Sequence, residues 1–357
     1  MNNLRKLVRL EQGRVVNAQR RRDCQLQQLF WECTLRCNLH CRHCGSDCLK
    51  EDKRTEMPLE QFTKVLDQVA EMTEAREIMI ITTGGEPLMR EDIVKVGREI
   101  TQRGFYWGMV TSGMLLTKSK MQELIDAGLN SISVSIDGLE EDHNWMRGSQ
   151  QSFTRAVEAV KVILDYSDFL AFDVITCVNR RNLATLPQLQ KFLCELGADN
   201  WRLITIFPSG RAANDPDLLL DGSQIRQLMD FIKLERQKYK MNVYFGCEGF
   251  LGPYENEVRD YQFFCQAGIN CASVLHDGAI SGCLSIRSKY HEGNVLQDDF
   301  TEIWENGFKR YRDHKWMKTG PCRFCEVWRW CQGNGMHLRD DDGRLTQCLY
   351  QKMFHNH

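Results

Sequence analysis

Three cysteines stand in one short loop at a spacing that suits a metal centre. Cys37, Cys41 and Cys44 form a C-x3-C-x2-C pattern. Thiolates at this spacing can converge on one small centre, and soft sulfur ligands favour zinc or iron–sulfur clusters. Three ligands would leave one iron of a four-iron cubane without a protein ligand, so that a small molecule could bind there. The triplet alone leaves a structural zinc site and an iron–sulfur cluster equally open.

Composition narrows the class of protein. The chain has 357 residues, a net charge of −2, 42% hydrophobic and 26% charged residues, and 16 cysteines. These values are those of a globular protein and give no global field that would attract nucleic acid. No apolar run approaches the roughly 20 residues that a membrane helix needs, and no secretory signal is evident. We therefore expect a cytoplasmic protein whose clustered, reduced cysteines bind metal.

The pattern of apolar residues predicts the elements that position the triplet. From residue 28 to about 240, six apolar strands alternate with amphipathic helices, which indicates a parallel sheet covered by helices. Six such units favour an open partial barrel over a closed barrel of eight strands. Beyond this stretch the alternation stops and cysteines recur in short turns, where bound metal would supply the missing stability. The predicted fold is an α/β partial (β/α)6 barrel over residues 28–245, followed by a small cysteine-rich domain over residues 246–357.

Residues 1–27 form a basic N-terminal arm with arginines throughout. One hypothesis is that the arm holds an acidic peptide or an anionic lipid surface. The alternative is a solvated helix that closes the bottom of the barrel.

Polar and glycine-rich motifs follow the first four predicted strands. The cysteine loop comes first, and then Gly84-Gly85-Glu86-Pro87, Thr111-Ser112-Gly113 and Asp137-Gly138. In parallel β/α folds the reactive site lies at the carboxyl ends of the strands. We expect all four motifs at one mouth, which a cofactor site requires and a zinc knuckle does not.

The cysteine triplet and Gly84-Gly85-Glu86-Pro87 resemble the cofactor site of radical S-adenosylmethionine (SAM) enzymes. The resemblance implies a [4Fe-4S] cluster whose open iron binds the amino and carboxylate groups of SAM, and whose reduction yields a 5′-deoxyadenosyl radical. It also implies that carbonyls of the two glycines accept hydrogen bonds from the SAM ammonium, with Glu86 adding charge. A plain strand-to-helix turn is the alternative for this motif.

Three further residues are assigned to SAM by the same resemblance. His43 stands where the family has an aromatic or similarly flat residue before its last cysteine. Ser135 and Arg147 match a strand-end serine and a downstream arginine that are expected near the SAM carboxylate and ribose. A guanidinium suits a carboxylate because its donors form a planar fork. The alternative for Arg147 is a surface salt bridge.

The C-terminal cysteines resemble the SPASM extension of a subset of these enzymes, which implies two auxiliary [4Fe-4S] clusters. The first C-terminal set is Cys265, Cys271 and Cys283, and the second is Cys322, Cys325, Cys331 and Cys348. One position departs from the family, which expects a cysteine where this chain has Gly335. The first cluster is then left with three cysteine ligands, and it either has an open iron or takes His337, Cys247 or a substrate atom.

The resemblance covers residues 28–350 and implies oxidative modification of a peptide or protein, by crosslinking or dehydrogenation. It also implies an electron donor such as flavodoxin or ferredoxin. The stretch from Cys331 to Leu338 is similar to a subgroup associated with lipoprotein systems.

Three alternatives stay open. Maturation of a small cofactor, such as a tetrapyrrole side chain, would use the same chemistry. A sulfatase maturase would have an aspartate where this chain has Leu284. A zinc-stapled binding protein is the alternative that is not an enzyme.

Overall fold

The structure is a computed structural model that describes residues 3–54, 56–238, 240–246 and 248–355. The strands are β1 (Gln28–Thr34), β2 (Met79–Gly84), β3 (Tyr106–Thr111), β4 (Leu129–Ser135), β5 (Ala171–Val178), β6 (Asn200–Thr205), β7 (Asn242–Phe245), β8 (Cys271–Val274), β9 (Ala279–Ser281) and β10 (His291–Asn294). The helices are α1 (Asn3–Asp23), α2 (Leu59–Met72), α3 (Ile93–Gln102), α4 (Lys118–Asp126), α5 (Glu140–Arg147), α6 (Ser152–Leu164), α7 (Leu186–Leu196), α8 (Gly222–Arg236), α9 (Phe300–Asn306), α10 (Lys309–Arg312), α11 (Trp328–Cys331) and α12 (Leu349–Phe354).

Within the described residues all ten strands belong to one open sheet, in the order β10-β9-β8-β1-β2-β3-β4-β5-β6-β7. Strands β1 to β7 pair in parallel, and β8 pairs in parallel with β1 on its free side. The antiparallel strands β8, β9 and β10 therefore extend the barrel sheet instead of forming a sheet of their own. The six predicted βα units are present, and β7 adds a seventh parallel strand that periodicity did not reveal.

Aromatic side chains fill the layer between the sheet and the helices. Trp31 on β1 is fully buried and stacks on Phe62 of α2, with ring centroids 4.0 Å apart. Trp107 on β3 lies so close to α3 that a Cβ on Gly97 would be 2.1 Å from the indole ring. A stacked aromatic pair contributes about 0.5–1.5 kcal/mol beyond its buried area. Close packing of this kind fixes the helices along one side of the sheet.

The other side of the sheet faces an open lumen, where a cavity of about 520 Å³ reaches in from the amino ends of the strands. Three polar side chains are linked there. Asp173 on β5 pairs with Arg202 on β6 at 2.9 Å and accepts a hydrogen bond from Tyr244 on β7 at 2.8 Å. The network ties the last three parallel strands together from inside.

Helix α1 contacts the C-terminal part of the chain, and its predicted role stays a prediction. Glu11 accepts a hydrogen bond from Trp330 at 2.8 Å, Lys6 pairs with Glu257 at 3.1 Å, and Leu10 packs in a cluster with Phe250. The opposite side of α1 leaves apolar side chains exposed, namely Leu4, Leu7, Val8, Val15 and Val16. Among the described residues, no helix is long and apolar enough to cross a membrane.

Candidate metal centre and cofactor site

The predicted mouth residues line one cavity of about 240 Å³ at the carboxyl ends of β1 to β4. From the predicted site, its lining includes Cys37, Cys41, His43, Cys44, Gly84, Gly85, Ser135 and Arg147. The loop that holds the triplet, residues 35–48, is called here the first cysteine loop. The structure thus brings together motifs that lie more than 100 residues apart in the chain.

Gly84 and Gly85 are required by close contact with the last residue of β1 and with the start of the first cysteine loop. A Cβ on Gly84 would lie 2.1 Å from the carbonyl oxygen of Thr34, and one on Gly85 would lie 2.2 Å from that of Arg36. The Gly85 N–H donates to Thr34 at 2.8 Å. Any side chain here would push the two loops apart.

Glu86 and Pro87 do not line this cavity. The Glu86 carboxylate has no exposed surface and accepts hydrogen bonds from Thr111 Oγ1 at 2.7 Å and from Ser112 N and Oγ at 2.8 and 2.6 Å. Pro87 is buried at the start of a short helical turn. The carboxylate thus joins the loops that follow β2 and β3, and the contribution of its charge to the cofactor site stays a prediction.

Arg147 is held by a buried ion pair and is not part of a surface salt bridge. Its Nε lies 2.7 Å from Asp137 Oδ2, and its Nη1 donates to Cys41 Sγ at 3.7 Å. Burial alone would lower the pKa of the guanidinium, but Asp137 and Cys41 raise it. Asp137 also accepts a hydrogen bond from the Cys177 N–H at 2.9 Å. The structure therefore gives Asp137 a positioning role that sequence reasoning had not assigned.

His43 is neutral at neutral pH. Burial, together with the nearby Arg147 and Arg211, lowers its pKa to about 4 although Asp137 opposes the shift. Its Nε2 lies 4.0 Å from Asp137 Oδ2. A ligand atom of Cys177 lies within 4.8 Å of those of His43 and Asp137. Cys177 thus lies beside His43 and Asp137.

A further cysteine supports the triplet from within the first cysteine loop. Cys48 is buried and donates a hydrogen bond from its thiol to Cys44, whose pKa falls to about 5. The Cys48 N–H also points at Cys44 Sγ, at 3.5 Å. Burial raises the pKa of Cys37 to about 12 and that of Cys41 as well. The contact with Cys48 thus favours the thiolate form of Cys44, which is the form that binds a metal.

The loop after β6, residues 207–211, clamps the first cysteine loop. Arg211 donates from Nε to the Cys41 carbonyl at 2.7 Å and from its backbone to the Cys44 carbonyl at 3.0 Å. At the other end of the clamp, the Phe207 ring lies 4.9 Å from that of His337. These contacts join residues 130 to 170 positions apart in the chain, so local sequence patterns do not show them.

The three cysteines of the first C-terminal set are close together. Cys271 hydrogen-bonds Cys283, and this contact lowers the pKa of Cys283 to about 7 although burial opposes it. The Sγ of Cys265 accepts a hydrogen bond from the Met336 N–H at 3.4 Å. Cys247, named as a possible fourth ligand, lies outside the described residues.

The four cysteines of the second C-terminal set also form one group. Burial, with the neighbouring Cys348 and Cys322, raises the pKa of Cys331. The buried Arg339 donates from Nη2 to Cys322 Sγ at 3.5 Å and to the Gly333 carbonyl at 2.9 Å. Arg339 was not singled out from the sequence, where it is one arginine among many.

These three sulfur groups fit iron–sulfur clusters. Each offers several soft donors in a largely buried setting, and each includes a sulfur that accepts a hydrogen bond from the protein. Such hydrogen bonds and burial are the means by which a protein adjusts the reduction potential of a cluster.

Comparison with known proteins agrees with this geometry. Residues 31–193 match the model of the radical SAM superfamily, and residues 265–326 match that of SPASM, an iron–sulfur cluster-binding domain. The chain is 29% identical over 326 residues to the AdoMet-dependent heme synthase of Methanosarcina barkeri, which is 85% of this chain and 90% of that protein. It is 25% identical over 333 residues to the AdoMet-dependent heme synthase of Nitratidesulfovibrio vulgaris, which is 88% of this chain and 89% of that protein.

Solved structures resemble the fold. Streptococcus suis SuiB bound to S-adenosylmethionine has a TM-score of 0.68 and 16% identity, over 87% of this chain and 72% of SuiB. Native anSMEcpe with bound AdoMet has a TM-score of 0.69 and 19% identity, over 92% and 94% of the two chains. Identities this low show the fold alone. They confirm the predicted class, a mixed α/β fold with a cysteine-rich domain after the parallel strands.

Proposed function

Because the chain belongs to the radical SAM superfamily and carries a SPASM domain, we propose that it modifies a side chain of a tetrapyrrole during heme formation. The two domains imply [4Fe-4S] clusters and SAM as cofactors. The zinc-stapled binding protein is set aside, since the chain is an enzyme of this superfamily.

The similarity to two AdoMet-dependent heme synthases carries the proposal. It extends over 85–88% of this chain and 89–90% of those proteins. A heme precursor differs from heme mainly at the edge of the ring, where unactivated C–H bonds are found. A carbon radical formed at such a bond is the kind of chemistry that a radical SAM enzyme supplies.

Cys37, Cys41 and Cys44 would hold the cluster that binds SAM, and Ser135 and Arg147 would line the SAM pocket beside it. When bound, the cluster and SAM supply a 5′-deoxyadenosyl radical. The protein residues orient SAM and exclude water from the pocket. Arg147, fixed by Asp137, places a permanent positive charge beside the Cys41 sulfur.

The electron balance needs a second redox site. Once the substrate side chain has given a hydrogen atom to the deoxyadenosyl group, its radical must lose one electron and its carboxylate, which leaves as carbon dioxide when the C–C bond breaks, to become a closed-shell alkene side chain. The C-terminal cysteine sets would hold the acceptor of this electron. The loop 207–211 supports this path, since it contacts the first cysteine loop through Arg211 and the segment beside the first C-terminal set through Phe207.

Modification of a peptide, the leading interpretation of the sequence, is the second candidate. One solved structure, SuiB bound to its precursor peptide SuiA, has a TM-score of 0.67 and 16% identity to this chain. That likeness concerns the fold, whereas the heme synthases match in sequence along most of their length. The sulfatase-maturase alternative ranks below both, since Leu284 stands where a base would be needed.

The test uses anaerobically purified, iron-loaded enzyme with dithionite and SAM. We expect an iron tetrapyrrole that carries more carboxylate side chains than heme to increase 5′-deoxyadenosine formation and to be converted to heme, as seen by mass spectrometry. Deuterium placed on those side chains should appear in the 5′-deoxyadenosine. A matched variant with Cys37, Cys41 and Cys44 changed to alanine should form neither product.

The proposal fails if tetrapyrroles leave 5′-deoxyadenosine formation unchanged. Increased formation with a short peptide encoded beside this gene, and none with tetrapyrroles, would favour the second candidate instead.

A further inference from the structure

The first C-terminal set has three cysteines, one fewer than the four irons of a [4Fe-4S] cluster. Cys265, Cys271 and Cys283 supply three thiolates, and position 335 is glycine. The second C-terminal set has four. A [4Fe-4S] cluster is usually held by four cysteine thiolates, so the fourth iron of the first cluster needs another ligand or stays open.

The segment around Gly335 runs directly past the first C-terminal set. The Met336 N–H donates to Cys265 Sγ at 3.4 Å, which brings the backbone next to position 335 into contact with a cluster sulfur. Residues Met336–Leu338 then form one short helical turn. A side chain at position 335 or 337 therefore starts within reach of a cluster bound there.

His337 occupies the space that a side chain at position 335 would take. A Cβ placed on Gly335 would lie 2.7 Å from Cε1 and 2.9 Å from Nδ1 of the His337 ring. Among the described residues, apart from the two chain neighbours of Gly335, the three atoms nearest to that point all belong to His337. The imidazole thus stands where the family has the first atoms of a cysteine side chain.

The imidazole has no competing partner in the described part of the chain. No hydrogen bond or ion pair there involves either ring nitrogen of His337, and its ring contact is with Phe207 at 4.9 Å. His314, a buried histidine of the same domain, differs, since its Nδ1 bonds the Gln332 carbonyl at 2.9 Å. A half-buried ring without hydrogen bonds is well suited to bind a metal.

We propose that His337 is the fourth protein ligand of the first auxiliary cluster, through a ring nitrogen that replaces the missing cysteine. Imidazole is a common iron ligand, and it is neutral where cysteine thiolate is negative. Replacing thiolate by imidazole raises the potential of an iron–sulfur centre, as in Rieske proteins. The cluster would have no open iron for substrate. Because imidazole is neutral, the cluster would also accept an electron more readily than one with four thiolate ligands.

The experiment is pulsed EPR on reduced, iron-loaded enzyme labelled with 15N-histidine. The three cysteines of the first cysteine loop are changed to alanine, so that the spectra report the auxiliary clusters alone. We expect a strong 15N hyperfine coupling from a directly bound ring nitrogen. This readout needs no substrate and no turnover, so it stands or falls separately from the proposed function.

Variants identify the histidine. His337→Ala should remove the coupling, whereas His314→Ala, which deletes the hydrogen-bonded imidazole of the same domain, should leave it unchanged. Gly335→Cys combined with His337→Ala should give a cluster with four sulfur ligands, no nitrogen coupling and a lower reduction potential. The double change is used because Gly335→Cys alone would clash with the ring.

Two results would overturn the proposal. Labelled enzyme without 15N coupling would mean that the iron is open or held by a different ligand, such as Cys247. Coupling that persists in His337→Ala would assign it to another histidine. The labelled protein with His337 and Gly335 intact shows whether any histidine nitrogen binds an auxiliary cluster, even if the variants fold poorly.

Discussion

Hydrogen bonds to sulfur recur at each of the three cysteine groups. Arg147 donates to Cys41, Met336 to Cys265 and Arg339 to Cys322. Each donor withdraws charge from its sulfur and favours the reduced, more negative state of a cluster. At the first cysteine loop, the neighbouring Cys48 adds a neutral thiol donor to the cationic one.

Cys48→Ala should lower the reduction potential of the cluster at the first cysteine loop. The variant loses the thiol hydrogen bond to Cys44, worth about 0.5–1.5 kcal/mol for a neutral donor, and this corresponds to roughly 20–60 mV. Redox titration followed by EPR measures the shift. Cys194→Ala is the control, because that thiol lies on α7 away from the cysteine groups. An unchanged or higher potential in Cys48→Ala would contradict the assigned hydrogen bond.

His143 should make the protein less stable in mild acid. Burial lowers its pKa from 6.5 to about 3, and its Nδ1 accepts a hydrogen bond from the Asp137 N–H at 3.0 Å. Between these two pKa values the unfolded chain binds a proton that the folded chain does not. Above pH 6.5 His143 is neutral in both states and has no effect on stability. Below pH 6.5 the free energy of unfolding falls by about 1.4 kcal/mol for each unit by which the pH drops.

The test compares melting temperatures at pH 7.5 and 5.5 under anaerobic conditions. His143→Gln keeps an acceptor for the Asp137 N–H but does not titrate, so its melting temperature should fall less on acidification. For a domain of this size about 1 kcal/mol corresponds to roughly 2–4 °C. Equal falls in the two proteins would show that another group titrates.

At the scale of single elements, loop 207–211 packs against the first cysteine loop and fixes its position. Gly210 has a φ of +54°, and a Cβ there would lie 2.4 Å from the Cys44 carbonyl oxygen and 2.5 Å from that of Gly45. The loop can lie against the cysteine loop only because this residue has no side chain.

Gly210→Ala should displace the first cysteine loop and lower its iron content. Gly320→Ala is a matched control, since Gly320 has a similar φ of +49° but, apart from its chain neighbours, no atom of the described residues within 4 Å of its Cβ position. The control keeps the backbone strain, about 1–2 kcal/mol, without the clash. We expect a modest fall in melting temperature for Gly320→Ala, and a larger fall with loss of iron for Gly210→Ala. Similar behaviour of the two variants would mean that the contact is unimportant.

Sequence reasoning succeeded where local patterns carry the information. Period and spacing predicted six βα units, and the place of each motif at a strand end predicted the shared mouth. It failed where the meaning of a residue depends on a distant partner. The hydrogen bonds of Glu86 to Thr111 and Ser112 could not be foreseen, because they join loops about 25 residues apart in the chain. Strand β7 was missed because four residues are too few to show a period.

At the scale of the whole molecule, the continuous sheet joins the two cysteine-rich regions. Strand β8 pairs with β1 from Gln28↔Cys271 to Trp31↔Val274, so a cysteine of the first C-terminal set starts a strand beside the barrel. A second link is polar, since Arg287 donates to Glu32 at 2.7 Å. The boundary predicted near residue 245 stays a prediction, and it would divide a single sheet.

A chain that ends at Gly246 should aggregate. It would lose β8 and expose the edge of β1, whose burial is almost complete along its length. Unpaired apolar edge strands associate with one another. Removal of residues 1–23 is the control, because it deletes a helix and leaves the sheet intact. Size-exclusion chromatography of both truncations measures the difference, and a monomeric, folded chain 1–246 would contradict the expectation.

The loop 207–211 also has a consequence for how the protein is assembled in the cell. Arg211 grips the first cysteine loop, while Phe207 lies against His337 beside the first C-terminal set. Iron bound at the first cysteine loop or at the first C-terminal set would fix the position of loop 207–211. The fixed loop would then favour iron binding at the other of these two sites. We therefore expect maturation to proceed in a cooperative order, with few half-filled molecules, so that iron starvation would yield mostly empty or complete enzyme.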